Sequence, residues 1–273
     1  MKITRRQHLL ALGGAMVAGS SSILRGLEFD VSKDVERERF LRTARVVSVE
    51  EIGHGVTHPR KATMELNGVT HAAQIQSVDK PLGPFFGSDG TTAPMRDSWR
   101  FNIAAYKIDR LLGLNMAVPV ISRRFEDKPS AFSWWADDVK GEEIDRINNN
   151  WALPDQAAFD RTIALSRVFD ELIINIDRNH SNILITNSYD VVLIDHTRCF
   201  IPYGKIRNVE NLTRCSRPLL RSMRALQRLA VQKATEGFLT AAEVTAMMSR
   251  RDRIVGFFDA KVKAEGEGSV LFG

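Results

Sequence analysis

Two cysteines in a chain of 273 residues exclude a scaffold built on disulfides. Cys199 and Cys215 stand sixteen positions apart with no second pair, which is no zinc-ligand pattern. In an oxidising compartment the two could pair; elsewhere they read as buried thiols. The apolar run Leu9 to Ala18 is too short to span a bilayer as a helix. There is no internal repeat and no low-complexity domain. Charge of one sign is also scarce beyond the N-terminus. Residues 1–26 hold Lys2, Arg5, Arg6 and Arg25 and no acid, so the net charge of +5 falls to +1 without them. The basic composition therefore makes no case for a nucleic-acid partner.

What is present suits one ordinary domain: 44% hydrophobic residues can bury a full core. Residues 1–26 differ, with Arg5-Arg6 before a Gly/Ala-rich apolar run and Gly19-Ser20-Ser21-Ser22, the layout of a twin-arginine export signal. His8 stands where that motif usually has Phe, and no Ala-x-Ala cleavage site follows. The other reading is a basic amphipathic start to the fold. The expected location is exported or membrane-anchored if the leader works, and cytoplasmic if it does not.

The chain is organised around Val168 to Phe200. Apolar residues at helical spacing (Ile163, Leu165, Val168, Phe169, Leu172, Ile173) lead into a polar loop, then into two β-type runs, Ile183–Ile185 and Val191–Ile194, joined by an Asn-Ser-Tyr-Asp turn. Asp177 and Asn182 bracket the loop and Asp195 follows the second run. Each alone reads as a turn or strand-end residue. Together they supply what phosphoryl transfer from a magnesium nucleotide requires. Asp177 is the carboxylate to receive a hydroxyl proton, and Asn182 and Asp195 are the oxygen ligands for the hard cation.

Asp177-Arg178-Asn179-His180-Ser181-Asn182 followed by Ile194-Asp195-His196-Thr197 resembles the catalytic signatures of the phosphatidylinositol 3/4-kinase-like superfamily. Its small bacterial members look nearest, with Golgi secretory-pathway kinases and HipA-like serine kinases more distant. The likeness runs from about Val46 to Leu229 and is specific only in the catalytic segment. His180 stands one place later than the family's His, so that role is not carried over. The resemblance implies an α+β, two-lobed protein-kinase-like fold, with a small antiparallel β lobe and a mainly helical large lobe. It implies ATP and Mg2+ as cofactors and an unknown hydroxyl-bearing substrate; apart from the resemblance, no nucleic-acid partner is expected and the chain is expected to be a monomer. Arg178 is then expected to orient the loop, while His196 and Arg198 either contact substrate or phosphate or simply pack.

Within that frame the domain plan is a leader (1–26), a linker or short helix (27–43), the small lobe (44–136), the large lobe (137–264) and a tail (265–273). Three strands are expected from Ala44–Val49, Lys61–Leu66 and Val69–Val78, with Asn67-Gly68 as a two-residue hairpin turn. Between the first two, Gly53, Gly55 and Thr57 are nucleotide-contact candidates, since glycines let backbone amides approach phosphate. Pro81 to Pro94, rich in Gly and Pro, reads as an irregular loop. Ser98 to Leu112 reads as an amphipathic helix stopped by Gly113. Ala117–Ile121 and Ser130–Trp135 complete the small-lobe sheet, and Trp135, with Trp134, is placed at an adenine slot or in packing. Asp137 to Leu153 reads as the connection between lobes, and Asp155 as the start of the long helix.

A kinase pairs a strand Lys with a helix Glu to hold the nucleotide phosphates. Gln76 and Asn102 occupy those positions, two amides that can still hydrogen-bond to each other. Either Lys80, read as the end of the same strand, or an Arg from elsewhere supplies the charge, or the chain is a non-catalytic pseudokinase scaffold. Beyond Asp195, Arg214, Arg217, Arg221, Arg224 and Arg228 recur at three- and four-residue steps on one expected helix face. That face is solvated or docks an acidic peptide, phosphate or anionic lipid. Thr240-Ala241-Ala242-Glu243 is a capping box for the last helix.

Overall fold

The structure, a computed structural model, describes residues 34–53 and 59–273. Residues 1–26, read above as an export leader, lie outside the described residues, as do Gly55 and Thr57. Helix α1 (Asp34–Thr43) buries Phe40 and Leu41 in the small lobe, with the Phe40 ring edge-on to Trp134 and His71. Strands β1 (Arg45–Glu51), β2 (Arg60–Leu66) and β3 (Val69–Gln76) run antiparallel. Asn67 and Gly68 both have positive φ, the geometry that a two-residue turn needs to follow the twist of its strands.

The segment expected to be an irregular loop is a second hairpin, β4 (Asp79–Phe86) and β5 (Thr92–Ser98). A two-stranded ribbon has an edge on both sides, so Pro81, Pro84 and Pro94 need not interrupt a ladder, and the register shifts between Pro81 and Pro84. Lys80 accordingly opens β4 rather than ending β3. Helix α2 (Trp99–Leu112) follows, with the Ser98 hydroxyl accepting from the Arg100 amide and Gly113 in the left-handed conformation at its end. Strands β6 (Val120–Phe125) and β7 (Lys128–Trp134) close the five-stranded sheet in the order β1-β2-β3-β7-β6.

Residues 137–153 are more than a connection: they form β8 (Val139–Glu142) and α3 (Glu143–Asn148). Helix α4 (Gln156–Ile173) begins at Asp155, whose carboxylate accepts from the Ala158 amide. Strands β9 (Ile183–Thr186) and β10 (Val191–Leu193) then pair with each other and, through β9, with β8. The larger core gathers Val168, Phe169 and Leu172 of α4 against Leu193, Met223 and Phe258. The smaller gathers Phe40, Ile75 and Phe132. Helix α2 lies between them, giving Phe101, Ala105 and Ile108 to the larger and Ile103 and Tyr106 to the smaller.

After β11 (Cys215–Ser216) the arginine-rich stretch forms two short helices, α5 (Arg217–Ala225) and α6 (Arg228–Ala234), not one. No Pro or Gly breaks it. Arg251 of α7 (Ala241–Glu265) donates to the carbonyls of Met223 and Leu226 and so terminates α5 from outside. The arginines do not form one free face. Arg217 pairs with Glu267, Arg224 with Asp259, Arg228 donates to Thr245, and Arg214 reaches the Gly268 carbonyl. Residues 265–273 contain α8 (Glu267–Val270) and β12 (Leu271–Phe272), and β12 pairs in parallel with β11. Val270 and Leu271 join the larger core. Cys199 and Cys215 are free and buried; burial pushes Cys215 up to about 12 and Cys199 well above the ordinary thiol value. Among the described residues no helix is long and apolar enough to cross a membrane.

Candidate active site

Helix α4 delivers the polar loop. Its C-cap, Ile174, is a buried β-branched residue at φ 48°, a strained conformation held by packing against Ala93, Ile201 and Tyr203. Asp195 and Phe200 also have positive φ, so left-handed residues flank the loop on both sides. Asn175 turns the chain: its Nδ2 donates to Asp170 Oδ1 and its Oδ1 accepts from the Asp177 amide.

Arg178 then ties the loop to the hairpin. Its guanidinium grips Asp170, with Nε 3.0 Å from Oδ2, while Nη1 donates to the carbonyls of Asn182 and Ile194, both at 2.8 Å. The Ile194 amide donates to the Asn182 carbonyl at 3.2 Å. The backbone of Asn182 is thereby held against that of Ile194, the residue before Asp195. Asn182 Nδ2 donates to the Asp177 carbonyl, leaving its Oδ1 without a partner among the described residues. Asp177 has a side chain 42% exposed; its Oδ2 faces Arg198 Nη1 at 3.1 Å and its Oδ1 has no partner among the described residues. Asp195 Oδ1 accepts from the Thr197 hydroxyl at 3.1 Å. Burial raises its pKa, and the hydrogen bonds from Thr197, with the Gln76 amide facing the carboxylate from beyond hydrogen-bond distance, only partly oppose that.

The Gln76–Asn102 pair is made, and its orientation follows from one backbone group. The His196 amide needs an acceptor and finds Asn102 Oδ1 at 2.7 Å, so Asn102 turns Nδ2 to Gln76 Oε1 at 2.5 Å. Gln76 Nε2 is thereby left buried without a hydrogen-bond partner, on the side of Asp195. The His196 ring is buried edge-on to Phe169, and burial holds its pKa well below the usual value. It packs as a neutral ring.

Sequence reasoning missed two carboxylates. Asp170 anchors Arg178, and its only local signal is an acid at a position where α4 is otherwise apolar. Asp97, at the end of β5, is wholly buried; its Oδ2 accepts from Arg198 Nε at 3.0 Å and its Oδ1 has no partner. Nothing near Asp97 in sequence announces a partner 101 residues away.

The remaining candidates stand apart. Lys80 is exposed and pairs in register with Asp97 across the ribbon, so the two share a face. Trp134 is core, stacked on His71 with centroids 3.6 Å apart. Trp135 is half-buried with Lys61 Nζ 4.6 Å from its ring centroid. Among the described residues no hydrogen bond or ion pair joins Gly53 or Trp135 to the Asp177–Asp195 network.

A small antiparallel lobe, a helix between two cores and a loop and hairpin at the head of a helical lobe define a two-lobed protein-kinase-like fold. Solved structures share it. Hydra Fam20, solved with sugar, superposes with a TM-score of 0.66 at 13% identity, covering 89% of this chain and 93% of that one. The Golgi casein kinase with Mn/ADP bound gives 0.60 at 15% identity, covering 87% and 78%. The Helicobacter pylori proinflammatory kinase CtkA gives 0.50 at 10% identity, covering 78% and 92%. At such identities the likeness is one of fold. No family model matches the chain, and no curated protein matches it by sequence.

Proposed function

We propose that the chain is a phosphotransferase of the phosphatidylinositol-kinase-like type, using ATP and Mg2+ to phosphorylate a hydroxyl of a protein, lipid or small molecule. The observation that carries this is the Arg178 bridge, which holds the loop bearing Asp177 and Asn182 against the strand end that leads into Asp195. Among the described residues Asp177 Oδ1 and Asn182 Oδ1 are both unpaired, and Arg178 joins the backbone of Asn182 to that of Ile194, the residue before Asp195. Among the described residues no three His, Cys, Asp or Glu side chains form a metal cage. Two protein ligands fit magnesium, which keeps its waters and shares nucleotide phosphates. When bound, the cation would neutralise phosphate charge during transfer. Asn182 and Asp195 would hold it, and the Golgi casein kinase structure with Mn/ADP is consistent with divalent-metal use on this fold.

Asp177 orients the substrate hydroxyl and takes its proton as the new O–P bond forms and the bond from phosphorus to the nucleoside diphosphate breaks. Asp177→Ala is expected to abolish transfer of labelled phosphoryl while sparing nucleotide binding, and Asp195→Ala to abolish magnesium-dependent binding. Phosphotransfer retained in Asp177→Ala would overturn the assignment.

The second reading, a nucleotide-independent scaffold, is favoured by the uncharged Gln76–Asn102 pair. A thermal shift with millimolar ATP, with and without magnesium, separates the two: no shift favours the scaffold. Export through residues 1–26 belongs to the same proposal, and a reporter fused to residues 1–30 that stays soluble in the cytoplasm would rule it out.

A further inference from the structure

With Gln76 and Asn102 neutral, the positive charge at the transferred phosphoryl has to come from another residue. Among the described residues Arg178, Lys80, Arg198 and Arg207 are the cations to weigh, and Arg207 reaches only the Asn175 carbonyl. Arg178 is spent: its Nε and Nη2 go to Asp170 and its Nη1 to two carbonyls. Lys80 is exposed on the β4–β5 ribbon and makes no hydrogen bond into the network. Arg198 remains.

Its guanidinium lies between the buried Asp97 and the catalytic-loop Asp177, 3.0 Å and 3.1 Å away, with Asp195 close enough to add to its charge stabilisation. A guanidinium has five N–H donors in a fixed fork. Among the described residues Asp97 takes the one on Nε, and Asp177 forms an ion pair with Nη1, so the donors on Nη2 and at least one on Nη1 are free to donate to phosphate oxygens. The side chain is 22% exposed, so it is not sealed from solvent.

Resting on the phosphotransferase reading above, we infer that Arg198 is the residue that contacts the terminal phosphoryl group, in place of the absent strand Lys. Asp97 is its positioning residue. The same contact fixes Asp177: with Oδ2 held by Arg198, the unpaired Oδ1 is the oxygen left to receive the hydroxyl proton. Arg198 donates hydrogen bonds to the phosphoryl oxygens and keeps its own protons throughout, so the charge that builds on those oxygens meets fixed donors.

The test compares wild type, Arg198→Gln, Arg198→Ala and the double variant Asp97→Asn/Arg198→Gln. The double variant removes the buried carboxylate that Arg198→Gln would strand, and so guards against misfolding. Thermal shifts are read with magnesium-ATP and magnesium-ADP, and transfer is read from γ-labelled ATP. Arg198→Gln and the double variant are expected to bind ADP as wild type does, to lose the preference for ATP over ADP, and to transfer about 100-fold more slowly. Guanidinium added to Arg198→Ala is expected to restore part of the rate.

Wild-type transfer in the double variant, or equal loss of ATP and ADP binding in a folded protein, would overturn the inference. So would a wild type with no preference for ATP. If wild type transfers nothing but the ATP preference depends on Arg198, the phosphotransferase reading fails and the contact with the terminal phosphate stands.

Discussion

The Gln76–Asn102 hydrogen bond allows an asymmetry to be worked out in advance. Replacing Asn102 by the near-isosteric Leu removes an acceptor and a donor at once and leaves two buried groups unpaired, the His196 amide and Gln76 Oε1. Each stranded group costs about 1–3 kcal/mol, so the variant should lose roughly 4 kcal/mol, which for a domain of this size lowers the melting midpoint by on the order of 10 °C. Replacing Gln76 by Met strands only Asn102 Nδ2, and it also removes Nε2, which is already buried without a partner. Those two effects are of similar size and opposite sign, so Gln76→Met should stay within about 1 kcal/mol of wild type. Both swaps keep the number of side-chain heavy atoms, so neither opens a cavity. Denaturant unfolding with unchanged slope reads the difference directly. Equal costs for the two variants, or a larger cost for Gln76→Met, would refute the reasoning that the stranded groups, and not the bond itself, set the energy.

Three further outcomes are expected. Both cysteines should resist a thiol reagent at pH 8 in the native protein and react once it is unfolded, because burial raises both thiols, Cys215 to about 12; rapid native labelling would contradict their placement. Burial works against the charge on Asp137, but hydrogen bonds from His71 and Trp134 outweigh it and leave its pKa below 3.8. Its contribution is therefore complete above the unfolded value and lost as pH falls through the lower folded one, so Asp137→Asn should flatten the acid limb of stability against pH. A side chain at Gly87 would run into the Tyr203 ring and the side chains of Asp89 and Thr91, so Gly87→Val should cost about 1–3 kcal/mol in an unfolding titration.

Signals that act over a few residues were legible in the sequence. Ser98, Asp155 and Thr240 start their helices with the side-chain caps that their chemistry suggests, and Asn67-Gly68 turns its hairpin. The loop and hairpin around Asp177 were legible for the same reason, since the spacing of Asp177, Asn182 and Asp195 is local. The β4–β5 ribbon was not, because Pro and Gly mark loops in most settings and only an edge on both sides makes them tolerable in strands. Nor was the break between α5 and α6, which depends on Arg251 reaching across from α7. Asp97 and Asp170 stayed hidden because an acid's partner cannot be read from its neighbours.

The same ribbon explains why the site is held together without the usual ion pair. Its tip meets the large lobe through the Lys205–Asp89 ion pair and Gly87 against Tyr203, and its base through Asp97–Arg198 and the Ser98 amide on the Thr197 carbonyl. One turn further on, Asn102 of α2 takes the His196 amide. Helix α2 is therefore fastened to the segment after Asp195 at its first turn, by neutral hydrogen bonds and one buried ion pair, where a Lys–Glu bridge would fasten it to β3. Swinging α2 outward would strand the His196 amide and leave Asp97 buried without its cation, a cost of several kcal/mol that nothing exposed by the motion offsets. The neutral Gln76–Asn102 pair thus leaves the helix fastened without a Lys–Glu bridge, and the helix start that does the fastening also sets the position of Arg198.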